Sequence, residues 1–249
     1  MAEALRLYGM KALVTGAAGG IGEAVARTLI KHGAEVLAVD SPNSGVEQHF
    51  ASVRGIQGYT AKLNEPASIA ALVKDAVEKL GALDILVNEF PLNPDVPIGE
   101  DGAGLDEMLH QRADLIMAMC RSALPYLKKS PAGRIINMGF LRSVFAANAK
   151  EPSQRAEQDL AAISRALAAE TGAFGITANH VQPGAIMTPD SREVFRKDKE
   201  LRDYCISSSA AKRLGEPVDV AKVVLVLASD DAVFVSGTGV AVDGGRVGD

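Results

Sequence analysis

The chain has 249 residues, 47% hydrophobic and 23% charged, with a formal net charge of -5. That length suits one large α/β domain, given a usual domain size of about 100–200 residues, and the apolar share supplies a core, which excludes a disordered chain. The excess of 31 Asp and Glu over 26 Lys and Arg argues against a nucleic acid or an anionic membrane surface as the main partner.

In chain order, Lys11-Ala-Leu-Val-Thr15 reads as a buried strand, and the glycines after it open into a helix over 23–30, stopped by Gly33. Then follow strand 35–40, helix 43–52, strand 56–61, helix 66–80 and strand 83–88. Helix 103–128, strand 133–138, helix 152–172, strand 175–181, helix 217–228 and a last strand over 238–242 complete the pattern. Strands apolar on both faces, alternating with helices, predict a Rossmann-type doubly wound parallel sheet with helices on both faces. No repeat, linker or low-complexity stretch divides residues 1–249, so a single domain is expected.

Cys120 and Cys205 are too few for a disulfide framework and lie in no Cys-x-x-Cys motif. His32, His49, His110 and His180 lack ligand spacing, so no metal is expected. No basic-then-apolar leader opens the sequence and no stretch reaches the roughly 18 apolar residues of a membrane span. A cytoplasmic protein is the expectation.

Thr15-Gly-Ala-Ala-Gly-Gly-Ile-Gly22 lies between a strand and a helix. There backbone N–H groups of Gly20, Ile21 and Gly22 can approach a pyrophosphate, and Gly16 permits the tight turn. Asp40 ends the second strand, where a carboxylate accepts from an adenosine ribose and repels a 2′-phosphate, which favours NAD over NADP.

The T-G-x-x-x-G-I-G spacing resembles the short-chain dehydrogenase/reductase family. So do Leu83-Asp-Ile-Leu-Val-Asn88, Gly133-Arg-Ile-Ile-Asn137, Arg165-Ala-Leu-Ala-Ala-Glu170, Asn179-His-Val-Gln-Pro-Gly184 and Val235-Ser-Gly-Thr-Gly-Val-Ala-Val-Asp-Gly-Gly245. Arg213-Leu-Gly-Glu-Pro217 and Leu227-Ala-Ser-Asp230 are similar to the branch that holds 3-oxoacyl-carrier-protein reductases and hydroxyacyl-CoA dehydrogenases. The resemblance implies hydride transfer at a carbonyl by a Ser-Tyr-Lys-Asn tetrad, with NAD held by Gly16, Gly20, Ile21, Gly22, Asp40 and Asn88.

The tetrad positions hold other residues. Counting back from Arg165 without gaps, the Tyr position is Ser153 and the Lys position Glu157; the Ser position is Phe140 and the Asn position Arg112. No Tyr-x-x-x-Lys occurs anywhere in the chain. A phenol needs an adjacent cation to titrate near neutrality, whereas Glu157 sets a negative charge where an oxyanion would need support. As the first turn of a helix after Pro152, Ser153 and Glu157 also suit a purely structural role. An Arg112–Glu157 ion pair closing the altered site is expected.

The cofactor site is altered too. The family's Asn-Asn-Ala-Gly reads Asn88-Glu89-Phe90-Pro91, which sets a ring and a pyrrolidine where small residues admit the ribose, and the family's adenine-binding Asp is Lys62, which accepts nothing. The glycines and Asp40 favour NAD while Lys62, Phe90 and Pro91 oppose it, and the sequence leaves the balance open.

The helix spanning Leu115–Leu127 is apolar on more than one face and Leu160–Ala169 is rich in small residues. By resemblance these form a four-helix contact with a neighbouring subunit, and the last strand and helix a second contact. The mixed-charge run Arg192–Tyr204 matches the family's substrate lid; Arg196, Lys197, Lys199 and Arg202 face either an anionic carrier such as coenzyme A or solvent. The resulting expectation is a non-catalytic subunit joined to an active paralogue in a heterotetramer, or to itself in a homotetramer, serving an NAD-dependent hydroxyacyl or ketoacyl thioester dehydrogenase. The alternatives are a stand-alone oxidoreductase using His110, Arg142 or Ser153, and a dinucleotide-sensing module.

Overall fold

The computed structural model describes residues 6–90, 105–139 and 150–246, without the side chains of 105–106 and 150–154. Seven parallel strands run in the order β3-β2-β1-β4-β5-β6-β7: β1 Lys11–Thr15, β2 Glu35–Asp40, β3 Ile56–Thr60, β4 Ile85–Asn88, β5 Arg134–Met138, β6 Thr177–Pro183 and β7 Gly239–Val242. The helices are α1 Gly20–Lys31, α2 Val46–Phe50, α3 Pro66–Leu80, α4 Leu105–Leu127, α5 Lys150–Thr171, α6 Pro189–Lys197, α7 Lys199–Ser207 and α8 Pro217–Ala228.

Alternation along the strands builds two apolar layers. Ala12, Val14, Val36, Ala38, Ile85 and Val87 face a layer with Val25 and Leu29 of α1 and Val224 of α8. Leu13, Leu37, Val39, Leu86 and Ile135 face the layer of α3, α4 and α5. Each fully buried Val or Leu contributes about 1.5–3 kcal/mol relative to exposure, so helices with one apolar stripe are held on both faces of the sheet. The expected doubly wound single domain is the architecture found.

The strand order reverses at β1 and β4, which are neighbours. Their carboxyl ends therefore diverge into the crevice where ligands of such sheets bind. Helices α3 and α8 keep the predicted limits, each opened by proline at its start. Helix α2 is shorter than the predicted 43–52: Ser44 folds back on the Ser41 carbonyl and Gly45 takes φ 72 before Val46. Strand β4 begins two residues late because Asp84 turns to the β1 backbone, accepting from the Lys11 N–H at 2.8 Å. Strand β6 is shifted to 177–183 because Gly175, at φ 73, ends a short 3-10 turn. The segment 188–207 holds two helices that the alternation left unassigned: Thr188 caps α6 and Asp198, accepting from Leu201 N–H at 2.8 Å, caps α7.

Between β6 and β7 the fit is tight. An added Cβ on Gly239 would lie 2.3 Å from Nε2 of His180, whose Nδ1 is held 3.0 Å from Ser164 Oγ in a site with 2% exposure. Gly239→Ala is therefore expected to cost about 1–3 kcal/mol, read as a lowered urea midpoint. Combining it with His180→Ala should recover part of the loss.

Candidate functional site

The glycine turn is set by the end of β1. Thr15 is fully buried, and its hydroxyl donates to the Glu89 carbonyl at 2.8 Å and accepts from the Glu89 N–H at 2.9 Å. This pins the residue after β4 to the residue before the turn. Gly16 then takes φ 64, a left-handed conformation that glycine adopts without a Cβ penalty. Gly22 packs so closely that a Cβ there would meet the Gly16 carbonyl oxygen at 2.2 Å. Ile21 is buried in the α1 layer, leaving the first N–H groups of α1 at the crevice.

Asp40 closes the turn from β2. One carboxylate oxygen accepts from Ala18 N–H at 2.8 Å and the other from Ser41 N–H at 2.7 Å. A carboxylate has about four lone-pair sites, so acceptor capacity remains for a ribose. Lys62 is exposed. Thr188, the α6 cap, lies across the opening, its methyl 3.4 Å from where a Gly20 Cβ would stand.

Asn88 turns inward rather than to the crevice. Its amide donates to Asn137 Oδ1 at 2.8 Å and to Cys120 Sγ at 3.3 Å. The buried Cys120 thiol is pushed up to about 12 by desolvation, so it stays neutral. The Phe90 ring is buried in the apolar cluster of Val39, Leu63 and Ile116, on the α3–α4 side. Pro91, Phe140 and Arg142 lie outside the described residues, and Ser153 falls in α5 among the residues whose side chains are not described.

Arg112 sits on α4 and spans the ends of β4 and β5. Its Nε donates to the Phe90 carbonyl at 2.9 Å, and one terminal nitrogen donates to the Met138 carbonyl at 2.8 Å and contacts the Gly139 carbonyl at 3.5 Å. Burial pulls it down to about 10, with Glu89 opposing the shift, so it remains a cation. The carboxyl group of Glu89 acts on Arg112, while Glu157 acts on His180, whose pKa burial holds below the ordinary range.

Glu89 is the residue that sequence reasoning passed over. Burial raises its carboxyl to about 8, Arg112 and the Gly22 N–H oppose the rise, and Asp40 adds to it. A signal was available: once β4 pairs with β1, the residue after Asn88 must face the residues after Thr15.

Beside α7, a cleft of about 640 Å3 is lined by Met187, Arg202, Ile206, Lys212, Arg213 and Leu214, among others. Its cations are engaged locally: Arg213 pairs with Asp219 at 2.7 Å, and Lys212, at φ 53, donates to the Ser207 carbonyl at 2.7 Å. On α6 and α7, Arg196 and Lys197 pair with Glu193, and Arg202 with Asp203, the pattern of a solvated face. Among the described residues no group of three or more His, Cys, Asp or Glu is placed to hold a metal ion. Among the described residues no helix is long and apolar enough to cross a membrane.

A glycine turn at the switch point of a parallel sheet, closed by an acidic residue from the second strand, defines a nucleotide-type α/β site. The family model described as enoyl-(acyl carrier protein) reductase matches residues 16–246, and the chain belongs to the short-chain dehydrogenase/reductase family of oxidoreductases. It is 28% identical over 250 residues to 3-oxoacyl-(acyl-carrier-protein) reductase FabG of Thermotoga maritima, covering 98% of this chain and 100% of that one. It is 30% identical over 247 residues to (2S)-((R)-hydroxy(phenyl)methyl)succinyl-CoA dehydrogenase subunit BbsD of Thauera aromatica, covering 94% and 95%. The crystal structure of levodione reductase superposes with a TM-score of 0.84 at 25% identity, covering 96% and 98%.

Proposed function

We propose that this chain is a non-catalytic subunit that assembles with an active short-chain dehydrogenase/reductase paralogue into a tetramer. The complex oxidises or reduces a hydroxyacyl or ketoacyl thioester with NAD, and the chemistry is carried by the paralogue. The observation that carries the reading is the lack of any Tyr-x-x-x-Lys, with Phe140, Ser153 and Glu157 at the Ser, Tyr and Lys positions and the Arg112 guanidinium clamped on backbone carbonyls at the Asn position. A serine in place of a phenol offers no proton donor that titrates near neutrality.

Surfaces fit for assembly support it. Phe234 is 100% exposed beside Val233 and Val235, next to β7, an edge strand with Gly239 and Ala241 exposed. Exposed Ala162, Ala166 and Ala169 line one side of α5, where another helix can approach closely. The similarity to BbsD, a dehydrogenase subunit by name, points to a mixed complex of the hydroxybenzylsuccinyl-CoA dehydrogenase type. Free thiols at Cys120 and Cys205 suit a reducing cytoplasm. In this reading NAD binds the chain weakly: Gly16, Gly20, Gly22 and Asp40 form its seat, while Lys62 and Pro91 oppose it.

The test is to purify the chain alone and co-expressed with a paralogue that has an intact Tyr-x-x-x-Lys. Native mass and NAD reduction with a 3-hydroxyacyl-CoA are then measured. The lone chain should show no turnover and the co-expressed pair a mixed tetramer with turnover. Turnover by the lone chain contradicts the reading, and NAD binding without association would favour the sensing module.

A further inference from the structure

The first N–H groups of α1 carry the positive end of the helix dipole and form an anion seat. The two hydrogen bonds between Thr15 and Glu89 fix the Glu89 backbone beside the turn. Its side chain then lies along the glycines. A Cβ on Gly16 would meet Cβ and Cγ of Glu89 at 3.1 Å, and a Cβ on Gly22 would meet Oε2 at 2.9 Å. The carboxyl group thus rests against the backbone of Gly16 and Gly22 at the base of the turn, with the Gly22 N–H among the groups acting on it. Oε2 is buried and has no hydrogen-bond partner among the described residues, an arrangement that native structures rarely keep.

We infer that Glu89 occupies the pyrophosphate seat of the glycine turn, so that a dinucleotide binds this chain only by displacing the Glu89 side chain. The inference rests on reading that turn as a dinucleotide seat, and makes Glu89 the residue that sets the site's affinity. The groups facing it are Arg112 from α4, Asp40 from β2 and the Gly22 N–H from α1. With its carboxyl raised to about 8, Glu89 blocks as a neutral acid at pH 7 and as an anion at pH 9, where it also repels phosphate. Dinucleotide affinity of the wild type should therefore fall between pH 7 and 9.

The experiment is calorimetric titration of NAD and of ADP-ribose into the full chain, its Glu89→Asn variant and its Glu89→Ala variant, each checked for folding by circular dichroism. ADP-ribose lacks the nicotinamide, so it reports on the turn without a contribution from that ring. Both variants should bind ADP-ribose at least about tenfold tighter than wild type at pH 7, with a smaller loss at pH 9. Equal affinities in wild type and a folded variant overturn the inference, as does a wild-type affinity that does not change between pH 7 and 9. Thioester turnover by the lone chain would contradict the proposed function while leaving the affinity ratio intact, so the two failures are distinguishable.

Discussion

Arg112→Met is expected to destabilise the chain by about 2–5 kcal/mol, a fall in Tm of roughly 4–20 °C for a domain of this size. The guanidinium supplies donors to the Phe90 and Met138 carbonyls at the ends of β4 and β5. Removing it leaves these oxygens without that donor in a partly buried site, at about 1–3 kcal/mol each. It also removes the cation that opposes the rise in the Glu89 pKa, so Glu89 becomes harder still to ionise. Adding Glu89→Gln should recover part of the loss at high pH, a coupling that a double-mutant cycle by thermal or urea denaturation measures. A fall below about 1 kcal/mol would mean that Arg112 is a solvated residue with no clamping role.

Glu89 also gives the folded chain a characteristic dependence on pH. An unfolded glutamate titrates near about 4.3, and in the folded chain the carboxyl is raised to about 8. Between these values the folded state holds a proton that the unfolded state has lost. Stability from this group is therefore fully present below about pH 4 and is lost as pH rises toward 8, beyond which the loss is constant. His180 works in the other direction. Its lowered pKa gives stability that is present above the ordinary histidine range and lost as pH falls through it. The difference between wild type and Glu89→Gln cancels the His180 contribution and isolates Glu89. That variant should match wild type near pH 4 and exceed it by on the order of a few kcal/mol at pH 9, seen as a Tm gap that widens with pH. A gap that stays constant would show that Glu89 is not buried in the way described.

The scaffold was legible because its signals are local. The apolar runs 11–15 and 35–40, Pro66 and Pro217 at helix starts, and Gly81 at a helix end each act within a few residues. The glycine turn was legible for the same reason, since Thr15, Gly16 and Gly22 share one strand-turn-helix unit. What escaped depends on which strands become neighbours. Glu89 reads as an ordinary polar residue until β4 lies against β1. The helices α6 and α7 were hidden because their apolar content is low and charged pairs such as Arg196–Glu193 dominate them.

A non-catalytic subunit leaves all hydride transfer to its paralogue. The most direct measurement uses the co-expressed complex, with the catalytic tyrosine of the paralogue replaced by phenylalanine and this chain left unchanged. NAD reduction with a 3-hydroxyacyl-CoA should fall to the uncatalysed background, because this chain has no Tyr-x-x-x-Lys. Turnover that persists in the tyrosine-deficient complex and is lost on substituting Arg112 or Ser153 of this chain would contradict the non-catalytic role.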